Sequence, residues 1–236
     1  VREVLRVKFW QGLFDQPYAD PGTAAAVVRH PDHLALSLEA SRKSLVLLKN
    51  TNDLLPMRVR MGDRILVAGP NADDRENSIS RYGPSNINVI TVLEGLREKL
   101  DGTAEIVYSK GCELVDDGWP ESEILPTPMK PEEREMIQRA VAEAEQSDWV
   151  VVVLGDNHIS VGESTSRTSL DLTGRQLNLL QAIHETGKPI VLVMINGRPL
   201  SINWADRHVD AILEAWFPGE FGGRAVADAL LGDYNP

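Results

Sequence analysis

Two segments constrain what this chain can fold into: "WVVVVLG" at 149–155 and "PIVLVMI" at 189–195. Neither alternates apolar with polar residues, as a half-exposed strand would. Such strands are apolar on both faces, so both faces must be covered, and a parallel sheet flanked by helices supplies that cover. The surrounding segments fit. "PEEREMIQRAVAEAEQS" (131–147) opens on Pro131 with acids in its first turn, as the helix dipole prefers. "GRQLNLLQAIHETG" (174–187) reads as a helix closed by Gly187. Further helices are expected at 1–14, 31–44, 89–100 and 222–232. Further strands are expected at 64–70, 104–109 and 210–216, with a short apolar run, "LVLLKN", at 45–50. The alternation predicts an α/β fold: a mostly parallel six-stranded sheet sandwiched by helices.

The 236 residues suffice for one large domain or two small ones, and 42% hydrophobic with 25% charged residues is ordinary for a globular chain. A net charge of −11 argues against nucleic acid and anionic membranes as partners, because both select a basic face. The single cysteine, Cys112, excludes an internal disulfide. The apolar runs are too short to span a bilayer. The chain opens on Val1 within a helical pattern and shows no cleavable leader, as expected of a piece of a longer polypeptide.

In a parallel sheet, ligands bind beyond the carboxyl ends of the strands, which directs attention to loops 70–88, 110–130, 155–172, 196–208 and 217–221. The phosphate-cradling glycine motifs and the serine-hydrolase elbow are absent. The five histidines are scattered, and no spacing fits zinc. Asp156, His158 and Glu163 would make a hard-metal site only if the fold fixed them together, and nothing in their spacing does. No cofactor is implied. Loop 155–172, "GDNHISVGESTSRTSLDL", leaves a buried strand and is long and polar, as a loop reaching over a ligand would be. Within it Glu163 follows Gly162 and precedes hydroxyls and Arg167. Spacing alone leaves Glu163 either a catalytic carboxyl or a surface acid. Arg167 either orients Glu163 or forms a surface pair. His158 either contacts substrate or donates a local hydrogen bond.

Several segments, in order, resemble the C-terminal domain of glycoside hydrolase family 3, the β-glucosidase and β-xylosidase family. They are "VLRVKFWQGLFDQPY", "SRKSLVLLKNTNDLLPM", "ILVAGPNAD", "TVLEGL", "SDWVVVVLGDN", "GESTSRTSLDLTGRQLNLLQAI", "GKPIVLVMINGRPLSI", "VDAILEAWFPGEFGG", where Val209 replaces the family's Ala, and "ADALLGDYNP". The resemblance implies that residues 1–30 end a (β/α)8-type barrel domain with its linker and that 31–236 form an α/β sandwich domain. It implies a retaining β-glycosidase acting on terminal β-linked glucose or xylose in oligosaccharides or aryl glycosides. Glu163 then matches the family's general acid/base. Tyr82 falls near the position where family members place an aromatic residue on the aglycone side; the other reading is a surface tyrosine before Gly83-Pro84. Arg81 is a weaker substrate-binding candidate beside it.

The family's nucleophile is an aspartate in a Ser-Asp-Trp motif, and "SDW" stands here at 147–149. Asp148, however, sits at the amino end of a strand, the wrong edge of the sheet for catalysis. The nucleophile is therefore expected upstream, in the barrel domain of the same protein. A branch acting on N-acetylglucosaminides uses a barrel-borne Asp–His pair, and the glutamate loop argues against it. The resemblance points to a periplasmic or secreted protein and leaves a homo-oligomer open. The competing reading is a non-catalytic carbohydrate-binding or interdomain structural module.

Overall fold

The computed structural model describes residues 1–76, 79, 81–84 and 87–236; part of loop 70–88 lies outside them. The chain forms two compact units, Val1–Ser37 and Leu38–Pro236. The first contains helices α1 (Arg2–Trp10) and α2 (Pro21–Val27) and the start of α3 (Pro31–Ser44). Asp20 caps α2: its carboxylate accepts the N–H groups of Gly22 and Thr23, each at 3.1 Å, while Pro21 takes a first-turn position where no donor is needed.

The second unit is built on a sheet whose strands, among the described residues, are β1 (Val46–Asn50), β2 (Arg64–Ala68), β3 (Glu105–Ser109), β4 (Trp149–Gly155), β5 (Ile190–Ile195) and β6 (Ala211–Glu214), in the spatial order β1-β6-β5-β4-β2-β3. All neighbours pair in parallel except β1, which runs antiparallel to β6 at one edge. The unbroken apolar runs of β4 and β5 lie at the centre, where every residue of β5 is buried. Their side chains divide with the two-residue period of a strand. Val151, Val153, Val191, Val193 and Ile195 join one core with Val92, Leu93 and Leu96 of α4 (Val92–Lys99) and Val226 and Leu230 of α8 (Gly222–Leu231). Val150, Val152, Leu154, Leu192 and Met194 join the other. Their partners there are Ile137 and Ala140 of α5 (Pro131–Glu145), Leu179 and Ile183 of α6 (Gln176–His184) and Ala205 of α7 (Asn203–His208). Full burial of each large aliphatic side chain contributes about 1.5–3 kcal/mol, so these two cores dominate stability.

Helix α4 starts at Val92, three residues later than the periodicity suggests. Thr91 ends the extended approach with a capping box: its hydroxyl accepts the Glu94 N–H at 3.1 Å, and Glu94 accepts the Thr91 N–H at 3.0 Å. Of the glycines in "GEFGG", Gly223 permits the close approach of α8 to the start of α4. A Cβ at Gly223 would lie 1.9 Å from the Thr91 carbonyl oxygen, and one at Gly95 2.2 Å from that of Gly223. Trp216 and Phe217 are half-buried, because β6 ends at Glu214 and the chain turns at Trp216, whose φ is 57°; Phe217 packs against the edge of the first core. Helix α7 falls in a segment read as loop; six residues carry too little periodicity to reveal it.

Two buried carboxyls matter to stability. Asp228 of α8 is fully buried and receives Arg42 Nη2 and Lys99 Nζ, each at 2.5 Å. Replacing Asp228 by Ala leaves Arg42 without its carboxylate and Lys99 with Asp233 alone, and we expect a loss of about 3 kcal/mol in urea unfolding; a loss below about 1 kcal/mol would show that these ion pairs are dispensable. Glu214, at the end of β6, is 6% exposed. Burial pushes its carboxyl from an ordinary 4.5 up to about 7, against the pull of hydrogen bonds from the Trp216 N–H and the Asn196 amide. Between those two values the folded chain keeps a proton that the unfolded chain has released, so stability falls as pH rises through the window. Glu214→Gln removes this contribution. Compared at about pH 5 and about pH 8, the variant should lose less stability than the parent by about 3 kcal/mol, and parallel curves would contradict the assignment.

Candidate active site

The strand order reverses between β2 and β4. From β2 the chain crosses to β3 at the edge, then returns past β2 to β4 and continues outward through β5 to β6. The loops leaving β2 and β4 therefore diverge at their carboxyl ends and open a crevice there. Asn71, buried just after β2, spans its floor: its side-chain amide donates to the carbonyls of Asp156 and Ile195, both at 3.1 Å.

Glu163 sits on the β4 loop in a four-residue turn closed by the Thr165 N–H on the Gly162 carbonyl at 3.2 Å. Gly162 has φ of 125°, a conformation side-chain-bearing residues rarely adopt, and a Cβ there would press on Arg81 Cδ at 2.9 Å. Ser164 takes φ of 64°, a strained value that the turn imposes on a residue with a side chain. Among the described residues, the hydrogen-bond partners of Glu163 come from the β2 loop. The Glu163 N–H donates to the Tyr82 hydroxyl at 2.7 Å, and Arg81 Nη1 donates to the Glu163 carbonyl at 2.9 Å. These bonds fix the Glu163 backbone. The residue is exposed, and among the described residues its carboxylate has no hydrogen bond or ion pair.

His158 is beside the same crevice, with Nδ1 3.9 Å from Glu76 Oε2. It lines a cavity of 420 Å³ with Arg75, Ile79, Arg81 and Val89. The crevice thus brings together Glu163, Tyr82, Arg81 and His158, four of the five residues singled out from sequence.

Arg167 is elsewhere. It neither reaches Glu163 nor lies at the surface: its side chain is 2% exposed. It donates to Glu123 Oε1 at 2.6 Å, to Asp156 Oδ1 at 3.2 Å and to the Asp171 carbonyl, and its guanidinium is 5.6 Å from the Trp119 ring centre. Two carboxylates and a carbonyl take its donors, so it fastens the loop from beneath. Asp156 is fully buried; burial raises its carboxyl above the ordinary range, opposed by the Ser160 hydroxyl at 2.9 Å and by Arg167. Sequence reading weighed Asp156 only as a metal ligand and passed over Glu123. The available signal was an acid directly after a wholly buried strand, where an ion pair is needed. Asp148 lies at the opposite edge, where its Oδ2 accepts the Arg64 N–H at 2.8 Å and joins the amino ends of β4 and β2.

Comparison with known proteins follows this geometry. Residues 45–236 match the model of the glycosyl hydrolase family 3 C-terminal domain. A β-xylosidase of Formosa agariphila is 37% identical over 242 residues, covering 99% of this chain and 31% of the relative. A periplasmic β-glucosidase of Salmonella typhimurium is 38% identical over 251 residues, covering 100% of this chain and 32% of the relative. A solved β-glucosidase from Erythrobacter marinus superposes with a TM-score of 0.82 at 33% identity, covering 95% of this chain and 32% of that one. The chain thus spans about a third of the length of these relatives. Its two-faced sheet, its strand order and these matches agree, and the chain belongs to glycoside hydrolase family 3.

Proposed function

We propose that this chain is the acid/base-donating domain of a retaining β-glycosidase that releases terminal β-linked glucose or xylose, with Glu163 as the proton donor. The observation that carries the reading is the treatment of Glu163: backbone held on both sides by Tyr82 and Arg81, carboxylate exposed at the switch-point crevice. A general acid needs that combination of fixed position and available proton. The names of the relatives, a β-xylosidase and a β-glucosidase, support the substrate class.

In this mechanism an aspartate of the barrel domain, carried by the same protein outside residues 1–236, attacks the anomeric carbon. Glu163 gives its proton to the departing oxygen. The bond to the leaving group breaks as the covalent glycosyl-enzyme forms. Glu163, now ionised, takes a proton from water, which attacks the same carbon and frees the sugar with its configuration retained. Retaining geometry separates the two carboxyls by about 5–5.5 Å, so neither domain holds a complete site. Residues 1–30 belong to the end of the barrel domain in this reading. Tyr82, an exposed residue, and His158 face the leaving-group side in this reading, where an aromatic face stacks on sugar C–H groups. The relative named as periplasmic supports a periplasmic or secreted location.

Glu163→Ala in the full-length protein tests the reading. Glycosides with poor leaving groups should slow by roughly 10²–10⁴-fold, because their departure requires the proton. Dinitrophenyl glycosides, which leave without it, should form the glycosyl-enzyme at nearly the parent rate. Azide, a nucleophile that needs no base, should then restore turnover and yield a β-glycosyl azide. Equal losses on both substrate types, with no azide product, would remove Glu163 from the mechanism.

A further inference from the structure

Glu163 hangs from a narrow neck. On its amino side, Ser160 is fully buried; its hydroxyl donates to Asp156 Oδ1 at 2.9 Å, and its N–H lies 3.3 Å from Asn157 Oδ1. On the carboxyl side, Thr165 closes the turn onto Gly162. One side chain from another loop reaches both sides. Arg198 Nη2 donates to the Ser160 carbonyl at 2.8 Å and to the Thr165 carbonyl at 3.3 Å. Arg198 follows β5, and its own backbone is held in turn: its carbonyl accepts the side-chain amide of buried Asn196 at 2.9 Å. Asn196 also donates its N–H to the Trp216 carbonyl at 3.2 Å, and its side-chain amide lies 3.3 Å from Glu214 Oε2. The carboxyl ends of β5 and β6 thus support a single guanidinium that bridges the neck of the turn.

We propose that Arg198 is a positioning residue for the reaction, setting the height and direction of Glu163 by bridging the Ser160 and Thr165 carbonyls. This rests on the reading of Glu163 as the acid/base. The planar fork of arginine suits the task, because one end can serve two carbonyls while the stem packs. Without the bridge the neck can open, and the carboxyl drifts from the leaving oxygen. A displacement of about 1 Å at a reacting group can cost on the order of 10²-fold in rate.

The test uses the full-length protein with matched pairs of glycosides, one dinitrophenyl and one alkyl. Arg198→Met keeps the stem and removes the donors. The expected result is a loss in kcat on the order of 10²-fold for the alkyl glycoside and under about threefold for the dinitrophenyl glycoside in its glycosylation step, with KM little changed. Added guanidinium should recover part of the alkyl activity of Arg198→Ala. Equal losses on both glycosides, or no loss in a folded protein, would overturn the proposal. If Arg198→Met does not fold, Arg198→Lys decides by the same ratio, because its smaller head cannot hold both carbonyls equally. Glu163→Ala, run alongside, separates the two claims. If it shows no leaving-group selectivity, both the acid/base reading and the positioning role fall. If it is selective and the Arg198 variants are not, the positioning role alone falls.

Discussion

The reversal of strand order between β2 and β4 is the constraint on which the rest of this domain depends. A parallel sheet with helices on both faces must send some connections over one face and some over the other. Where the direction changes, adjacent loops part company and leave a crevice at the carboxyl edge. Here those loops are the ones after β2 and β4, joined at their base by Asn71 on the Asp156 carbonyl and at Glu163 by Tyr82 and Arg81. The two cores that force the sheet to be covered on both sides are therefore the remote cause of the site's location. Val150 to Leu154, alternately facing one core and the other, anchor the loop that carries the carboxyl.

Beneath the loop lies a layer of buried polar groups in place of further apolar packing. Asp156, Ser160 and Arg167 with Glu123 form its amino-side support, and Asn196 with Arg198 forms the other. Burying charge costs stability unless partners satisfy it, and replacing such pairs by apolar residues is often neutral or better for folding. Such a layer under an exposed acid fits a demand for fixed geometry rather than for stability. The strained φ of Ser164 and the requirement for glycine at 162 belong to the same economy of position.

Much of this was legible in the residues. The runs at 149–155 and 189–195 announce a sheet buried on both faces, and the strand–helix alternation gives its parallel sense. The length and polarity of loop 155–172 mark it as the place to look. Asp148 could be set aside because it begins a strand rather than ending one, and it indeed ties the amino ends of β2 and β4. What stayed hidden was long-range. Arg167 looks in sequence like a neighbour of Glu163, yet its partners are Glu123, 44 positions away, and Asp156 at the strand end. Arg198 reads as part of a sharp strand exit, and only the fold brings it within hydrogen-bond distance of Ser160, 38 positions away. Side-chain pairing across loops leaves no periodicity, so no local pattern reveals it.

The central claim is that Glu163 is one half of a carboxyl pair completed by another domain. The most direct measurement is a crystal structure of the full-length protein after trapping with a 2-fluoro glycosyl fluoride, which labels the nucleophile covalently. The account predicts an aspartate of the barrel domain bearing the sugar, with its carboxyl about 5–5.5 Å from that of Glu163 across the anomeric carbon. A labelled residue with Glu163 more than about 10 Å away, beyond even the range of inverting pairs, and another acid in its place would contradict the account.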